Sequence, residues 1–247
     1  MKKIVLTCAA LALVASTAFA SGVDLTVIAC PGNAGASNDA GSLDCAGGQV
    51  VTMLATFLPN EALSDLVGID VVYMVNVAGD ISSDANFWDF ASNANAAGAL
   101  HTKPSTGCST SGSNYTATWS PSGSGAGSLG VYPVNTGPNY PSNVSRIVAL
   151  AYRPTTLSVT ANQKLFGMQL SIDASNSAEG GNNPTALGCT KAATVTLSEV
   201  IPRALSGNDG SSLNTTALQG QAVTFNGGTA PVATHKKTWG QLKSLYR

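Results

Sequence analysis

Charged side chains are scarce in this sequence of 247 residues, since only 10% are Asp, Glu, Lys or Arg. An average soluble protein carries roughly 25%. The 12 basic and 13 acidic residues nearly balance, so the chain lacks the cationic excess typical of nucleic-acid binders. The hydrophobic fraction of 44% is too high for a charge-rich disordered chain. We therefore expect a folded protein without a nucleic-acid partner.

Groups that perform acid–base catalysis are also few. The chain has two histidines, His101 and His235, and the G-x-S-x-G turn of α/β-hydrolases does not occur in it. A glycosidase needs two facing carboxylates, but the acids here stand beside turn residues or alternate with apolar residues, which favours solvated positions. Since a Ser–His–Asp site would have to use His101, which we interpret as a solvated loop residue, we predict that the protein is not an enzyme.

Helical periodicity is nearly absent, and strand signals dominate. One short helical turn is expected at residues 60–66, with Asn60 as its cap. Alternation predicts that Ile69, Val71, Tyr73, Val75 and Val77 share one face, as do Phe166, Met168, Leu170 and Ile172, and also Ala193, Val195 and Leu197. The predicted strands are residues 23–29, 50–57, 68–77, 115–119, 146–152, 156–160, 165–172, 193–200 and 222–225. About nine short strands separated by Gly, Pro and Asn indicate an all-β fold, an antiparallel β-sandwich of one domain over residues 21–230.

Residues 104–145 contain no charged side chain and are rich in Gly, Ser, Asn and Pro. A stretch of this length without regular structure is unusual in a compact domain, so we expect either a functional loop or a partly mobile excursion held by Cys108. Trp119, Tyr132 and Tyr140 could stack on sugar rings, which makes a carbohydrate-binding module the alternative function. Phe87, Trp88 and Phe90 could belong to the same surface, but packing of Trp88 and Phe90 into the core is the favoured interpretation.

The first twenty residues have the features of a secretory signal peptide. Lys2 and Lys3 precede an apolar run from Ile4 to Val14, and a small-x-small site ends at Ala20. The run is too short to span a membrane as a helix, and no later segment is long enough. We expect a secreted, extracellular or cell-surface protein with no membrane span after the signal is removed.

Four cysteines remain after residue 20: Cys30, Cys45, Cys108 and Cys189. An even number in an exported chain predicts two disulfides. We expect the pairs Cys30–Cys45 and Cys108–Cys189, the second contributing on the order of 4 kcal/mol. Zinc is disfavoured because the chain has no C-x-x-C pair. No cofactor is expected, although Asp39 and Asp44 in a Gly-rich loop could hold a structural calcium ion.

The C-terminal segment is basic and amphipathic. Six basic and thirteen acidic side chains give residues 21–230 a net charge of −7, whereas residues 231–247 carry +4 and no acid. Helical spacing places Trp239, Leu242, Leu245 and Tyr246 on one face, with Lys243 and Arg247 opposite. Ten residues cannot hold a helix alone in water, so the apolar face must be received by the acidic body, a neighbouring copy, or an export or surface machine. We predict that this tail docks on a partner or serves as a sorting signal.

The tail sequence TWGQLKSLYR at 238–247 resembles the terminus of a group of uncharacterised secreted bacterial proteins. The match extends over LVGID at 66–70, FWDF at 87–90, GC at 107–108, SRI at 145–147 and KLF at 164–166. The general plan is also similar, more weakly, to cohesin-like and carbohydrate-binding modules. The resemblance implies no known activity and no catalytic residue. The sequence thus predicts a non-catalytic structural or interaction module that binds a protein, a cell-surface component or, in the alternative, a polysaccharide.

Overall fold

The described part of the chain forms ten strands in two sheets. The computed structural model describes residues 22–81, 86–90, 96–103, 108, 116–117, 127–132, 141–210, 212–213 and 220–229. The strands are β1 (Gly22–Val27), β2 (Val50–Leu58), β3 (Leu63–Val77), β4 (Leu100–Lys103), β5 (Thr116–Ala117), β6 (Gly127–Tyr132), β7 (Val144–Val159), β8 (Leu165–Asp173), β9 (Ala193–Ala204) and β10 (Ala222–Phe225). Among the described residues, short 3-10 helices lie at Ala96–Ala99 and Ala174–Asn176.

The strands form two five-stranded sheets that pack face to face. Sheet A has the order β1-β2-β8-β4, with β5 also paired to β8, and sheet B has the order β10-β9-β3-β7-β6. All pairs are antiparallel except the short β5–β8 pair. The predicted all-β sandwich is therefore confirmed, with ten strands in the described residues instead of about nine.

Side chains from both sheets meet in one apolar core. The predicted inner face of β3 is confirmed, because Ile69, Val71, Tyr73, Val75 and Val77 are all buried. Trp88 is fully buried, as expected, and its ring lies 5.7 Å from that of Phe225. In the described residues no helix is long and apolar enough to cross a membrane.

Residues 60–66 do not form the expected helical turn. The strand β3 already begins at Leu63, whose backbone pairs with Val159. Leu66 is fully buried, so pairing and burial override the weak local preference for a turn. The two strands predicted at 146–152 and 156–160 are one strand, β7, whose pairing with β3 is irregular around Pro154, a position where proline is tolerated. The strands β4 and β6 were not predicted.

A bulge in β8 changes the direction of one predicted core residue. Met168 is paired with Ala55 and Phe166 with Thr56, so Gly167 is an extra residue between them. Met168, Leu170 and Ile172 point into the core, as predicted. Phe166 does not share that face and instead packs on the outside of sheet A.

The expected cysteine pairing is wrong, although the four cysteines do form two disulfides. The observed bridges are Cys30–Cys108 and Cys45–Cys189, with Cα separations of 5.4 and 6.1 Å. Cys45 belongs to the core between the sheets, whereas Cys30 packs with Leu54 and Phe166 in a second small cluster on the outer face of sheet A. Cys30 and Cys45 are close in sequence but lie on opposite sides of the sheet, so they do not pair.

Candidate binding groove on sheet A

A strained turn follows strand β1. The N–H of Ala29 donates to the carbonyl of Val27 at 2.8 Å, and the intervening Ile28 has a φ of +72°. This combination is a γ-turn whose central residue has a positive φ, a type that is rare and strained, unlike the common inverse γ-turn. A β-branched residue with positive φ is an outlier, and such outliers are concentrated at functional sites.

Neighbouring hydrogen bonds hold the turn in place. The hydroxyl of Thr26 donates to the carbonyl of Ala29 at 2.8 Å, and the N–H of Val27 donates to the carbonyl of Ser37 at 2.9 Å. The disulfide at Cys30 fixes the chain two residues later. The turn is thus constrained on both sides, and it holds the Ile28 side chain 81% exposed.

Ile28 borders a groove of about 620 Å³. Its rim also includes Val50, the first residue of β2, which is 54% exposed. Among the described residues, the lining contains no charged and no aromatic side chain. The lining residues are Val27, Ile28, Ala29, Cys30, Asn33, Ala40, Gln49, Val50, Val51, Thr52, Leu54 and Gln169. The groove therefore presents two exposed aliphatic side chains beside hydroxyl and amide groups.

Beyond the groove, the outer face of sheet A becomes polar. The hydroxyls of Thr52 and Ser171 lie 2.8 Å apart on neighbouring strands. His101, on β4, is opposite Ser171, and its Nε2 lies 3.9 Å from Oδ2 of Asp173. A catalytic triad needs the imidazole hydrogen-bonded to both the serine and the carboxylate. This distance exceeds hydrogen-bonding range, and the Ser171 hydroxyl is engaged with Thr52, so the three residues do not have that arrangement.

The two calcium candidates act as hydrogen-bond acceptors in turns. Oδ1 of Asp39 accepts from the N–H of Gly41 at 2.9 Å and from the hydroxyl of Thr224 at 3.0 Å. These two hydrogen bonds lower the pKa of Asp39. Oδ1 of Asp44 accepts from the N–H of Gly47 at 2.8 Å. Within the described ranges, no three His, Cys, Asp or Glu side chains lie together as a metal site would require.

Two carboxylates are buried where the sequence predicted solvated acids. Asp24 and Asp89 are both fully buried. Oδ1 of Asp24 accepts from the N–H of Gly220 at 2.9 Å, which ties β1 to the segment before β10. In the sequence Asp24 alternates with Val23 and Leu25, which predicts that its side chain faces away from the core. Alternation does not reveal that this outward-facing side chain is also buried.

The remaining predicted site residues belong to the loop at 104–145 and to the tail. Trp119 and Tyr140, and the tail residues Trp239, Leu242, Lys243, Leu245, Tyr246 and Arg247, lie outside the described residues. Tyr132 ends strand β6, but its side chain lies outside the description. The proposed sugar-stacking surface and the tail therefore stay predictions.

The groove itself was not predicted. The sequence placed Ile28 inside a strand, since its neighbours are apolar and β-branched. Nothing in the residue type signals a left-handed turn, because Ile is among the residues least suited to positive φ.

Comparison with known proteins gives one structural likeness. No protein-family model and no curated protein matches the chain. Among solved structures, the chain is similar to a cohesin module from a family 33 glycoside hydrolase of Clostridium perfringens ATCC13124. The two share 8% identity with a TM-score of 0.33, over 83% of this chain and 98% of that one. A likeness of this size carries no argument about function.

Proposed function

We propose that the protein is a secreted or cell-surface, non-catalytic interaction module whose groove on sheet A binds a partner protein. The observation that carries the proposal is Ile28, a large apolar side chain held 81% exposed by a strained turn. Strain of this kind typically costs of order 1–3 kcal/mol and persists where the surroundings impose it. A partner that covers Ile28 and Val50 would bury apolar surface that the free protein leaves in water.

The lining indicates the chemistry of the partner segment. No charged side chain is among the described lining residues, and these residues would not compensate a bound charge for its lost hydration. The bound segment in this proposal is therefore uncharged. The amides of Asn33 and Gln169 can hydrogen-bond a polypeptide backbone, while Ile28 and Val50 contact its aliphatic side chains. These amide and aliphatic groups favour a neutral protein segment. The carbohydrate alternative depends on stacking by Trp119, Tyr132 and Tyr140, whose side chains lie outside the described residues, so it needs a test of its own.

In this proposal the protein is exported, and its C-terminal tail has a role of its own. Two disulfides fit an oxidising compartment outside the cytoplasm, and residues 1–20 have the pattern of a signal peptide. In this proposal the signal is cleaved after Ala20. The tail at 231–247 then acts as a docking or sorting element, separate from the groove.

Site-specific photo-crosslinking tests the groove. The chain 21–247 would carry p-benzoylphenylalanine in place of Ile28 and be exposed to the surface and medium fractions of the source cells. We expect one predominant protein adduct, whose cross-linked peptide is a neutral segment. Excess unlabelled wild-type chain should compete for the adduct, whereas Ile28→Asp should not, because a charge at that position opposes burial.

The matched control carries the crosslinker in place of Leu205, which is 72% exposed and does not line the groove. The same adducts from positions 28 and 205 would contradict the proposal, as would a charged cross-linked peptide or attachment only to a second copy of this chain. Retention of the protein on an insoluble polysaccharide, abolished by Trp119→Ala, would instead support the carbohydrate alternative.

A further inference from the structure

The outer face of sheet B carries an apolar stripe. On β7, Tyr152 is 53% and Leu150 36% exposed, and Val148 beside them is half-buried. Register places Leu150 opposite Asp70 of β3, which is in turn opposite Ile201 of β9. We call Met74, Val148, Leu150, Tyr152 and Ile201 the sheet B stripe. All five point away from the core between the sheets.

The chain leaves strand β10 onto this same face. Thr194 alternates with core residues of β9 and therefore faces outward. Its hydroxyl donates to the carbonyl of Thr229 at 3.0 Å. Just before it, the N–H of Gly228 donates to the carbonyl of Phe225 at 2.9 Å. A Cβ at Gly228 would overlap the carbonyl oxygen of Ala193, so glycine permits the close crossing. The tail thus begins on the face that carries the stripe.

The length of the tail matches the distance to the stripe. From Thr194 to Ile201 is seven residues along β9, about 23 Å at roughly 3.3 Å per residue, and two strands across add about 10 Å. Leu150 therefore lies about 25 Å from the point where the chain reaches the face. The nine residues 230–238 span up to about 30 Å when extended. Trp239 can consequently reach Leu150 and Tyr152.

We propose that the tail of each chain docks on its own sheet B stripe, with Trp239, Leu242 and Leu245 over Tyr152, Leu150 and Val148. This inference rests on the proposed role of the tail as a docking element and assigns it a receptor surface. Docking supplies the tertiary contact that a short amphipathic segment needs to be ordered. It also covers apolar surface that would otherwise face water.

Charge and geometry favour this surface over the groove on sheet A. The tail carries +4 and the body −7. Glu199 lies on the outward face of β9 beside the stripe. On the same face, Asp70 is paired with Arg203, and Arg146 lies opposite Met74. The groove lining, by contrast, includes no charged side chain among the described residues. A basic segment at the stripe would lie beside the Glu199 carboxylate, and the groove would stay open for the partner.

The test replaces Trp239 with p-benzoylphenylalanine in the full chain 21–247 and maps the product by mass spectrometry. We expect a cross-link within a single chain to residues 146–152 or 70–76, with a yield that does not change on dilution. The pair Leu150→Lys and Tyr152→Lys should lower the yield by about tenfold, equivalent to about 1.4 kcal/mol of lost docking energy. Leu187→Lys, at a residue 56% exposed and outside sheet B, should leave it unchanged.

A reciprocal experiment keeps the proposal testable if the double variant does not fold. The crosslinker then replaces Tyr152, and the expected product contains the tryptic peptide 238–243. A cross-linked dimer whose yield rises with concentration would overturn docking within one chain, and so would attachment outside sheet B or no cross-link. These results leave partner capture at Ile28 unaffected, so failure of the tail inference is separate from failure of the groove. Capture of the tail at Ile28 itself would contradict both.

Discussion

Replacing Ile28 by glycine and by alanine should reverse the usual order of stability of these two residues. At most positions alanine is the more stable, because glycine has more conformational freedom to lose on folding, by about 0.4–1 kcal/mol. At Ile28 the φ of +72° penalises any L-residue with a Cβ by about 1–2 kcal/mol. We therefore expect Ile28→Gly to exceed Ile28→Ala in free energy of unfolding by about 0.5–1 kcal/mol.

The same reasoning compares Ile28→Gly with the wild type. Because the Ile28 side chain is 81% exposed, its removal loses only a small part of the 1.5–3 kcal/mol that full burial of such a side chain contributes, about 0.5 kcal/mol. Glycine also increases the conformational entropy of the unfolded chain, which favours unfolding. Relief of the backbone strain at position 28 offsets both effects. Ile28→Gly should then be about as stable as the wild type but defective in partner capture.

Denaturant unfolding followed by tryptophan fluorescence measures these differences. Leu205→Gly and Leu205→Ala are the matched controls, since Leu205 is also exposed, at 72%, and is not among the described residues with positive φ. There alanine should be the more stable variant. If Ile28→Ala is more stable than Ile28→Gly, the strained turn does not exist in solution and the argument for the groove loses its basis.

Two further predictions concern the core and the disulfides. Replacing Cys45 and Cys189 together by serine opens a loop of 144 residues and should lower the free energy of unfolding by about 5 kcal/mol. Replacing Cys30 and Cys108, which are 78 residues apart, should lower it by about 4.5 kcal/mol. Guanidinium unfolding of the two double variants checks both values, and a loss below about 1 kcal/mol would contradict the pairing. The hydroxyl of Tyr73 is buried and has no hydrogen-bond partner among the described residues. Because Tyr73→Phe removes this unsatisfied group, it should stabilise the fold by about 1 kcal/mol near neutral pH. Burial also raises the pKa of Tyr73. Above pH 10 the unfolded tyrosine ionises while the buried one stays protonated, so the wild type should lose up to about 1.4 kcal/mol per pH unit relative to Tyr73→Phe, and equal slopes would refute the burial argument.

Strand alternation predicted much of the sandwich because burial on one face imposes a period of two. The buried series from Ile69 to Val77 was read correctly for this reason. Alternation fails where the pairing is interrupted, as at Gly167, where one extra residue turns Phe166 to the outside. It also misses β4 and β6, whose residues carry no clear alternation.

The groove and the disulfide pairing could not be predicted from the sequence. Pairing depends on which side of sheet A each cysteine occupies, and that follows from the fold. Closeness in sequence therefore suggested Cys30–Cys45 wrongly. The exposure of Ile28 depends on a turn that its residue type disfavours, so local preference pointed to a strand instead.

The second apolar cluster, formed by Cys30, Leu54, Cys108 and Phe166, has a consequence for engineering. These four residues lie outside the main core, and the disulfide at Cys108 attaches the segment after β4 to the outer face of sheet A. A replacement for the segment that follows β4 could be grafted onto this patch if it keeps a cysteine at position 108. The scaffold would then present different surface segments while Trp88, Tyr73 and their neighbours continue to stabilise the fold.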